Sequence, residues 1–261
     1  MSLVAATSDG TARGGTAAGG NGQAARSERT RQKLLATAER LFAERGIEAV
    51  SLREIATAAR QRNPYVVQYH FGSKEALVGA LLEVGRAPVN ATRAEMLAAI
   101  DAAGITDREA LVRAAMEALV RPLAQSLERP PSYLLRLIYQ VYSSGLGAPS
   151  PALSALRGPR LPLSSDDASA DTGVAAVNLL ARGVRGAEAR ALGMRVGLAL
   201  TLMMVALAGR EALEQSTPDL GDREEFVQEL VGAMAAIILR PPDSRARTAT
   251  STRRRTSSRG S

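Results

Sequence analysis

Apolar residues recur every three or four positions along most of this chain, which is the spacing of one face of an α-helix. The segment Glu28–Arg45 shows the pattern most clearly, with Ser27 as a candidate N-cap and Gly46 just beyond its end. Its apolar face is expected to consist of Leu34, Leu35, Ala38, Leu41 and Phe42. No stretch alternates with period two for long enough to make a β-strand. The pattern therefore predicts an all-α fold.

Two short helices are expected after this one. Ser51 and Glu54 have the spacing of a capping box, in which the Ser51 hydroxyl accepts from the Glu54 amide and the Glu54 carboxylate accepts from the Ser51 amide. Asn63 is expected to cap the next helix, with Pro64 in its first position, because Pro there gives up an amide that has no partner in any case. This third helix is expected to end near Phe71.

A fourth helix, from Lys74 to Val84, is expected after the break at Gly72-Ser73. Beyond Gly85 the remaining helices are predicted at about 88–102, 107–128, 131–144, 174–184, 187–214 and 222–239. The proline-rich stretch between Gly145 and Thr172 predicts a long loop.

Composition divides the chain into four regions. The arm 1–26, rich in Gly and Ala, and the tail 241–261, rich in Arg and Ser, contain too few apolar residues to form a core, so both are expected to be disordered. Between them we expect a head at residues 27–85 and a body at residues 86–240. The net charge is +7, most of it in the tail, whereas residues 27–75 carry nine basic and six acidic side chains.

Composition also narrows the chemistry. The chain has no cysteine and only one histidine, His70, which excludes disulfides, thiol nucleophiles and cysteine-based zinc sites. Residues 86–239 contain no nucleophile motif and no second histidine, so neither an enzyme nor a bound cofactor or metal is expected. The longest apolar run, 196–209, has 14 residues, fewer than the roughly 20 that a membrane-spanning helix needs. With no export pattern at residues 1–25, we expect a soluble, cytoplasmic protein.

Two short helices flanked by two longer ones are the arrangement of a DNA-reading helix-turn-helix. The arrangement alone is weak support, because small helical bundles share it. A purely structural helix usually carries Glu and Lys on its outer face, but the third helix and its flank carry polar and aromatic donors, which favours contact with DNA. These donors are Gln61, Arg62, Asn63, Tyr65, Gln68 and Tyr69.

The stretch from Leu34 to Leu82 closely resembles the DNA-binding domain of the TetR family. It carries LFAERG, SLREIA and YHFGSKEAL in the order and at the spacing of that family. The resemblance implies a three-helix head followed by a linking helix, on a variable all-helical body, with two bodies paired through their last two long helices. The chain departs from the family at Arg60, where Gly is usual, so a left-handed C-cap there would be modestly strained.

The resemblance also implies roles in DNA binding. Arg53 maps to a position that reaches a base edge, and the third helix maps to readout of the major groove. Lys74 and either Gln68 or Tyr69 match phosphate contacts, a helix N-terminus being favourable for a phosphate. His70 either packs at the base of the head or touches phosphate, and packing is favoured. The candidate DNA-contacting residues are Ser51, Arg53, Gln61, Arg62, Asn63, Tyr65, Gln68, Tyr69 and Lys74.

The resemblance further implies a small-molecule pocket in the body. Arg136 shares one helical stripe with Tyr133 and Tyr139, where it either pairs with an anionic ligand or extends from a core helix to solvent. The candidate lining residues are Met96, Met116, Tyr133, Arg136, Tyr139 and Tyr142.

The helices at about 187–214 and 222–239 have faces too apolar to leave in water, so a homodimer that buries them is expected. Paired heads would read a palindromic site. The leading hypothesis is a ligand-responsive dimeric repressor, whose partners are double-stranded operator DNA and an unknown small-molecule effector. The alternatives are a helical interaction module whose head no longer reads DNA and an all-α enzyme that modifies a small molecule.

Overall fold

The computed structural model describes residues 17–128, 132–144, 172–181, 186–217 and 220–241. Every regular element in these ranges is helical, which confirms the all-α prediction. The predicted loop at 145–171, residues 1–16 of the predicted arm, and the predicted tail from residue 242 onward lie outside the described residues.

In the part of the chain that the structure describes, four helices belong to the head and its link to the body, and five more belong to the body. The head helices are α1 (Ala17–Arg45), α2 (Leu52–Ala58) and α3 (Val66–Phe71), followed by the linking helix α4 (Lys74–Ala103). The body helices are α5 (Arg108–Ala124), which continues into the 3₁₀ turn Gln125–Glu128, then α6 (Leu134–Ser144), α7 (Thr172–Ala181), α8 (Gly186–Glu214) and α9 (Arg223–Leu239).

Helix α1 begins earlier than its apolar pattern predicts. It starts at Ala17, so Ser27 lies inside the helix and is not its N-cap, and residues 17–26 of the predicted arm are its first turns. The physical reason is that extending a helix already formed by the core residues adds one hydrogen bond per residue without a new nucleation cost. The Ala, Gln and Arg residues of this segment favour such an extension.

Helix α4 continues where the sequence predicts a break. It passes through Gly85 and Pro88 and ends at Ala103, with Gly104 in a left-handed conformation at φ 56°. Gly85 is a packing site, because a Cβ atom there would clash with the Leu134 side chain of α6. The predicted end of the fourth helix at Val84 was therefore wrong, and one helix joins head and body.

The buried side chains form two clusters. The head cluster is built on Leu34, Phe42, Ile55 and Leu77, and the body cluster collects residues from α4 to α9. Helix α6 contributes to both, because its Leu137 lies in the head cluster while Leu135 and Ile138 lie in the body cluster. The head therefore rests on α4 and α6.

Helix α8 is apolar enough to need a structural explanation. Its segment Glu188–Glu214 is long and apolar enough to cross a membrane by length and composition, although only 44% of its most apolar window is buried. The uninterrupted apolar run 196–209 is shorter than this segment, so its length alone did not indicate a helix long enough to cross a membrane. In the structure α8 packs against α6 and α9, as a core helix of a helical domain does.

Candidate nucleic-acid interface

A capping box fixes the start of α2. The Glu54 amide donates to the Ser51 hydroxyl at 3.2 Å, and the Ser51 amide donates to the Glu54 carboxylate at 2.8 Å, as predicted. The Ser51 hydroxyl also donates to this carboxylate, and Arg45 donates to its other oxygen at 3.0 Å. Hydrogen bonds from Ser51, first its amide and then its hydroxyl, together with Arg45, lower the pKa of Glu54 to about 2. Helix α2 is thus tied to the end of α1.

The turn between α2 and α3 contains a strained arginine. Arg60 has φ 55°, and it is the one non-glycine residue with positive φ among those the structure describes. Its amide donates to the Thr57 carbonyl at 2.9 Å, and the Gln61 amide donates to the Ala56 carbonyl at 2.9 Å. These two bonds form a Schellman motif, which places a left-handed residue just after the helix. The left-handed C-cap considered from the sequence is confirmed.

Helix α3 begins two residues later than predicted. Its N-cap is Tyr65, with no side-chain cap, so Asn63 is not the N-cap and Pro64 is not in the first helical position. Instead the Asn63 side chain accepts from the Tyr65 amide at 2.9 Å. Asn forms such turns with the backbone two residues ahead, and this turn precedes the helix.

The outer face of α3 carries polar and aromatic side chains. Val67 is fully buried, and Val66 and Phe71 pack partly against the head cluster. Tyr65 is 63% exposed, Tyr69 is 82% exposed, and Gln68 is also exposed. Positions three and four apart share one side of a helix. The prediction that α3 turns its polar side away from the protein is confirmed.

The other candidate DNA-contacting residues differ in their exposure and in whether their side chains already form hydrogen bonds within the head. Arg53 and Arg62 are exposed and make no ion pair within the described ranges. Gln61 is half-buried and donates to the Ala59 carbonyl at 3.1 Å. The exposed face around α3 is therefore formed by Arg53, Arg62, Tyr65, Gln68 and Tyr69, whereas Ser51, Gln61 and Asn63 have side chains engaged in local turns and caps.

Lys74 has a structural role that the sequence analysis missed. Its ammonium donates to the carbonyls of Ile47 at 2.9 Å and Glu48 at 3.3 Å, which ties the start of α4 to the loop between α1 and α2. An ammonium has three donors, so one remains for another acceptor. No local pattern indicates these contacts, because the partners of Lys74 lie 26 and 27 residues earlier in the chain.

Aromatic contacts mark the end of α3. His70 is half-buried, and its ring lies 5.2 Å from the Tyr69 ring and 6.2 Å from the Phe71 ring. The guanidinium of Arg31, on α1, lies 5.4 Å above the Phe71 ring. The C-terminal end of α3 is thus adjacent to the middle of α1.

Residues 34–81, which include this whole arrangement, match the family model of the bacterial regulatory proteins of the tetR family. These 48 of the 261 residues are similar to the bacterial regulatory proteins of the tetR family, and the resemblance found in the sequence is confirmed for this part of the chain. No curated relative matches the chain.

Three solved structures are similar to this chain over most of its length. NalD of Pseudomonas aeruginosa, the secondary repressor of the MexAB-OprM multidrug efflux pump, is 20% identical over 80% of this chain and 96% of its own, with a TM-score of 0.47. A TetR-family regulator from Streptomyces coelicolor A3 is 21% identical over 82% and 96%, with a TM-score of 0.38. A gamma-butyrolactone receptor, described as an ArpA-like protein, is 20% identical over 80% and 98%, with a TM-score of 0.43. Because these TM-scores lie below 0.5, the assignment rests on the family model.

Arg136 already has a partner in its own chain. Its Nε lies 3.5 Å from the carboxylate of Glu211, which is 2% exposed. Its guanidinium also donates to the Gln215 side chain at 2.7 Å and lies 5.1 Å above the Tyr133 ring. Both readings considered for Arg136 from the sequence overlooked this buried carboxylate. The position of Glu211, two residues after the apolar run 196–209, could have indicated such a pair, because buried carboxylates are usually paired.

The remaining ligand candidates lie at several depths. Met116 is in the body cluster and 1% exposed, while Met96 and Tyr139 are half-buried. The Tyr142 hydroxyl forms a 2.9 Å hydrogen bond with the Thr201 hydroxyl of α8. Arg136 lies against Glu211 near the end of α8, and Tyr142 lies against Thr201 in the middle of the same helix.

Proposed function

We propose that this chain is a ligand-responsive repressor that binds a palindromic operator as a homodimer. The observation that carries the proposal is the outward polar face of α3, held by the Schellman turn and by packing of Val67. In helix-turn-helix proteins the N-terminal part of the second helix contacts base edges in the major groove. Repression would follow from occupancy of a promoter.

Position along α3 suggests how the contacts divide. Tyr65 precedes the first turn, where base edges are expected, and Tyr69 lies in the last turn, where a phosphate is expected. We assign Gln68 to the groove and Tyr69 to the phosphate, because Tyr69 is the more C-terminal of the two. Arg53 would reach a base edge from α2, and Lys74 would offer its remaining donor to a phosphate.

Operator binding can be tested by selecting sites from random duplex DNA with the full chain and footprinting the enriched sequence. A two-fold symmetric footprint is expected. Gln68→Ala should relax base preference, and Tyr69→Phe should weaken binding to all DNA sequences by a similar factor. Arg113→Ala, an exposed change on α5, is the matched control and should bind as the unchanged protein does. Selection without any enriched sequence would contradict the proposal.

The homodimer is supported by an apolar stripe on α8. Met194, Leu198, Leu202 and Val205 are 52%, 56%, 36% and 51% exposed, and their spacing of four, four and three residues keeps them on one side of the helix. Such a continuous stripe on a soluble protein marks a contact surface. A second copy of the same helix would present a matching stripe across a two-fold axis.

Sedimentation of the full chain tests this interface. We expect a dimer, which the double change Leu198→Glu and Leu202→Glu converts to a monomer with weak operator binding. Val84→Glu, which alters a 60% exposed apolar residue on α4 outside the stripe, is the matched control and should remain dimeric. A charged stripe variant that sediments as a dimer would place the interface elsewhere.

We place the effector site among α5, α6 and α8, where Met116 and Tyr142 lie. Arg136 is excluded as the primary ligand contact because an incoming anion would have to displace Glu211. A panel of small apolar compounds, screened for release of operator DNA, tests the proposal. Tyr142→Phe should change the concentration needed for release while leaving DNA binding without compound unchanged, and an unaltered release curve would remove Tyr142 from the site.

A further inference from the structure

The first half of α1 extends beyond the head. We call residues 17–33 the basic extension. The residues from Gly22 to Arg29 are all exposed, and Leu34 is the first buried residue after them. An isolated helix of this length is marginal in water, because its stability in proteins comes mostly from packing. The extension therefore offers a surface that the head itself does not use.

One side of the basic extension is cationic. Arg26, Arg29 and Lys33 are spaced three and four residues apart, so they share one side of the helix. Rotation by about 100° per residue places the middle of this side about 150° from the middle of the apolar face formed by Leu34, Ala38 and Phe42. None of the three makes an ion pair within the described ranges.

The acidic residue of this segment does not neutralise these cations. Glu28 lies 3.8 Å from the guanidinium of Arg31 and accepts a hydrogen bond from Gln32 at 3.3 Å. Its carboxylate is thus engaged on another side of the helix. The three cations remain available for an external anion.

The extension starts next to the DNA-reading helix. Arg31 lies over the ring of Phe71, the last residue of α3, at 5.4 Å. From Arg31 back to Ala17 the helix spans about 20 Å at 1.5 Å per residue. When α3 lies in a major groove, the phosphates that border the groove are close to its C-terminal end, and the extension is long enough to reach the neighbouring backbone.

We propose that the basic extension is a second DNA-binding element, in which Arg26, Arg29 and Lys33 contact phosphates outside the half-site read by α3. This inference rests on the proposed function of the head. The ligand is the phosphate backbone of duplex DNA, without base preference. The extension adds affinity that depends on salt and on the length of DNA beyond the half-sites.

The test compares the full chain with the triple variant Arg26→Gln, Arg29→Gln and Lys33→Gln on two duplexes, one trimmed to the footprinted half-sites and one with native flanks. On the long duplex the slope of log affinity against log salt should be smaller in magnitude for the triple variant, by about 2 to 3, since each phosphate contact contributes about 0.9. Flanking DNA should strengthen binding of the unchanged protein and not of the variant. Hydroxyl-radical protection of the flanks should disappear in the variant.

The matched control changes three exposed arginines of α4 and α5: Arg86→Gln, Arg108→Gln and Arg113→Gln. It removes the same charge and should keep the slope and the flank effect. Equal slopes for the unchanged protein and the triple variant would overturn the inference while leaving sequence-specific binding intact. Loss of sequence preference in the unchanged protein would instead overturn the proposed function. An equal loss in both variants would show only a net-charge effect and would also overturn the inference.

Discussion

Arg60 is strained by its backbone, and removing that strain should stabilise the head. A side chain in the left-handed region costs about 1 kcal/mol or more, and glycine avoids this cost. Arg60→Gly should therefore raise the free energy of unfolding by about 1 kcal/mol, measured by urea denaturation followed by circular dichroism. Arg60→Ala removes the guanidinium but keeps a Cβ, so it should give no such gain. Equal stabilisation by both changes would show that backbone strain is not the cause.

Glu54 should make the head sensitive to acid. The pKa of Glu54 is lowered to about 2, from an ordinary value of 4.5, by the Ser51 amide, the Ser51 hydroxyl and Arg45. A lowered pKa in the folded state means that the stabilisation is complete above pH 4.5 and is lost as the pH falls towards 2. The difference in unfolding free energy between the unchanged protein and Glu54→Gln should therefore shrink over this range. A difference that is constant with pH would contradict the assigned pKa.

Local residue pairs were predictable from the sequence, and distant ones were not. The capping box joins Ser51 to Glu54, three positions away, so the identity and spacing of these two residues predict their hydrogen bonds. The bonds from Lys74 to Ile47 and Glu48 depend on how α4 and the loop before α2 meet in space. Asn63 lies between these cases, because Asn favours both an N-cap and a turn, and the sequence did not decide between them.

Helix α6 is held at its start by a carboxylate from α8. Glu211 accepts hydrogen bonds from the amides of Leu135 at 3.1 Å and Arg136 at 2.9 Å, and from the Ser132 hydroxyl at 2.8 Å. These amides belong to the first turn of the helix, where no intrahelical acceptor exists. Burial, and secondarily the negative charge of Glu211, raises the pKa of Glu39 on α1. The carboxylate thus lies where body and head meet.

Removal of this carboxylate should be costly. Glu211→Ala leaves the α6 amides without their buried acceptor and the guanidinium of Arg136 without the carboxylate of its ion pair, so the unfolding free energy should fall by about 3 kcal/mol or more. Glu211→Gln keeps an acceptor and should lose less. Glu229→Ala, at an exposed position of α9, serves as control and should change stability by no more than about 0.5 kcal/mol. If Glu211→Ala proved as stable as the control, the cap would have no energetic role.

Helices were predictable in type because their apolar spacing is a local property, but their ends were less so. The bounds of α8 and α9 differ from the predicted ones by a single residue at most. The continuity of α4 was missed because Gly85 and Pro88 usually interrupt helices. Only the position of Leu134 on a separate helix explains why glycine is needed inside α4. The first turns of α1 were missed because their residues, of which 22–29 are exposed, show no apolar spacing.

Helices α4 and α6 connect head and body, because α4 extends from one to the other and α6 contributes to both clusters. A ligand bound in the body is therefore expected to change DNA binding by displacing these helices. A ligand shifts DNA binding only if it favours one arrangement of the heads over another. Gly85 leaves room on α4 for the Leu134 side chain at the start of α6. Because Leu137 on the same helix belongs to the head cluster, a displacement of α6 changes the support of the head.

Gly85→Ala tests this connection. Its Cβ would clash with the end of the Leu134 side chain, so this buried side chain must change its position at the start of α6, and the unfolding free energy should fall by about 1–3 kcal/mol. Gly79→Ala, on the same helix with nothing within 4 Å of its Cβ, should instead gain about 0.5–1 kcal/mol from higher helix propensity. Operator affinity, measured where both variants are folded, should fall for Gly85→Ala and stay unchanged for Gly79→Ala. Both changes lie outside the proposed DNA contacts, so a selective loss at residue 85 would have to be transmitted through α6. Equal affinities would mean that the head binds DNA independently of how α6 lies on α4.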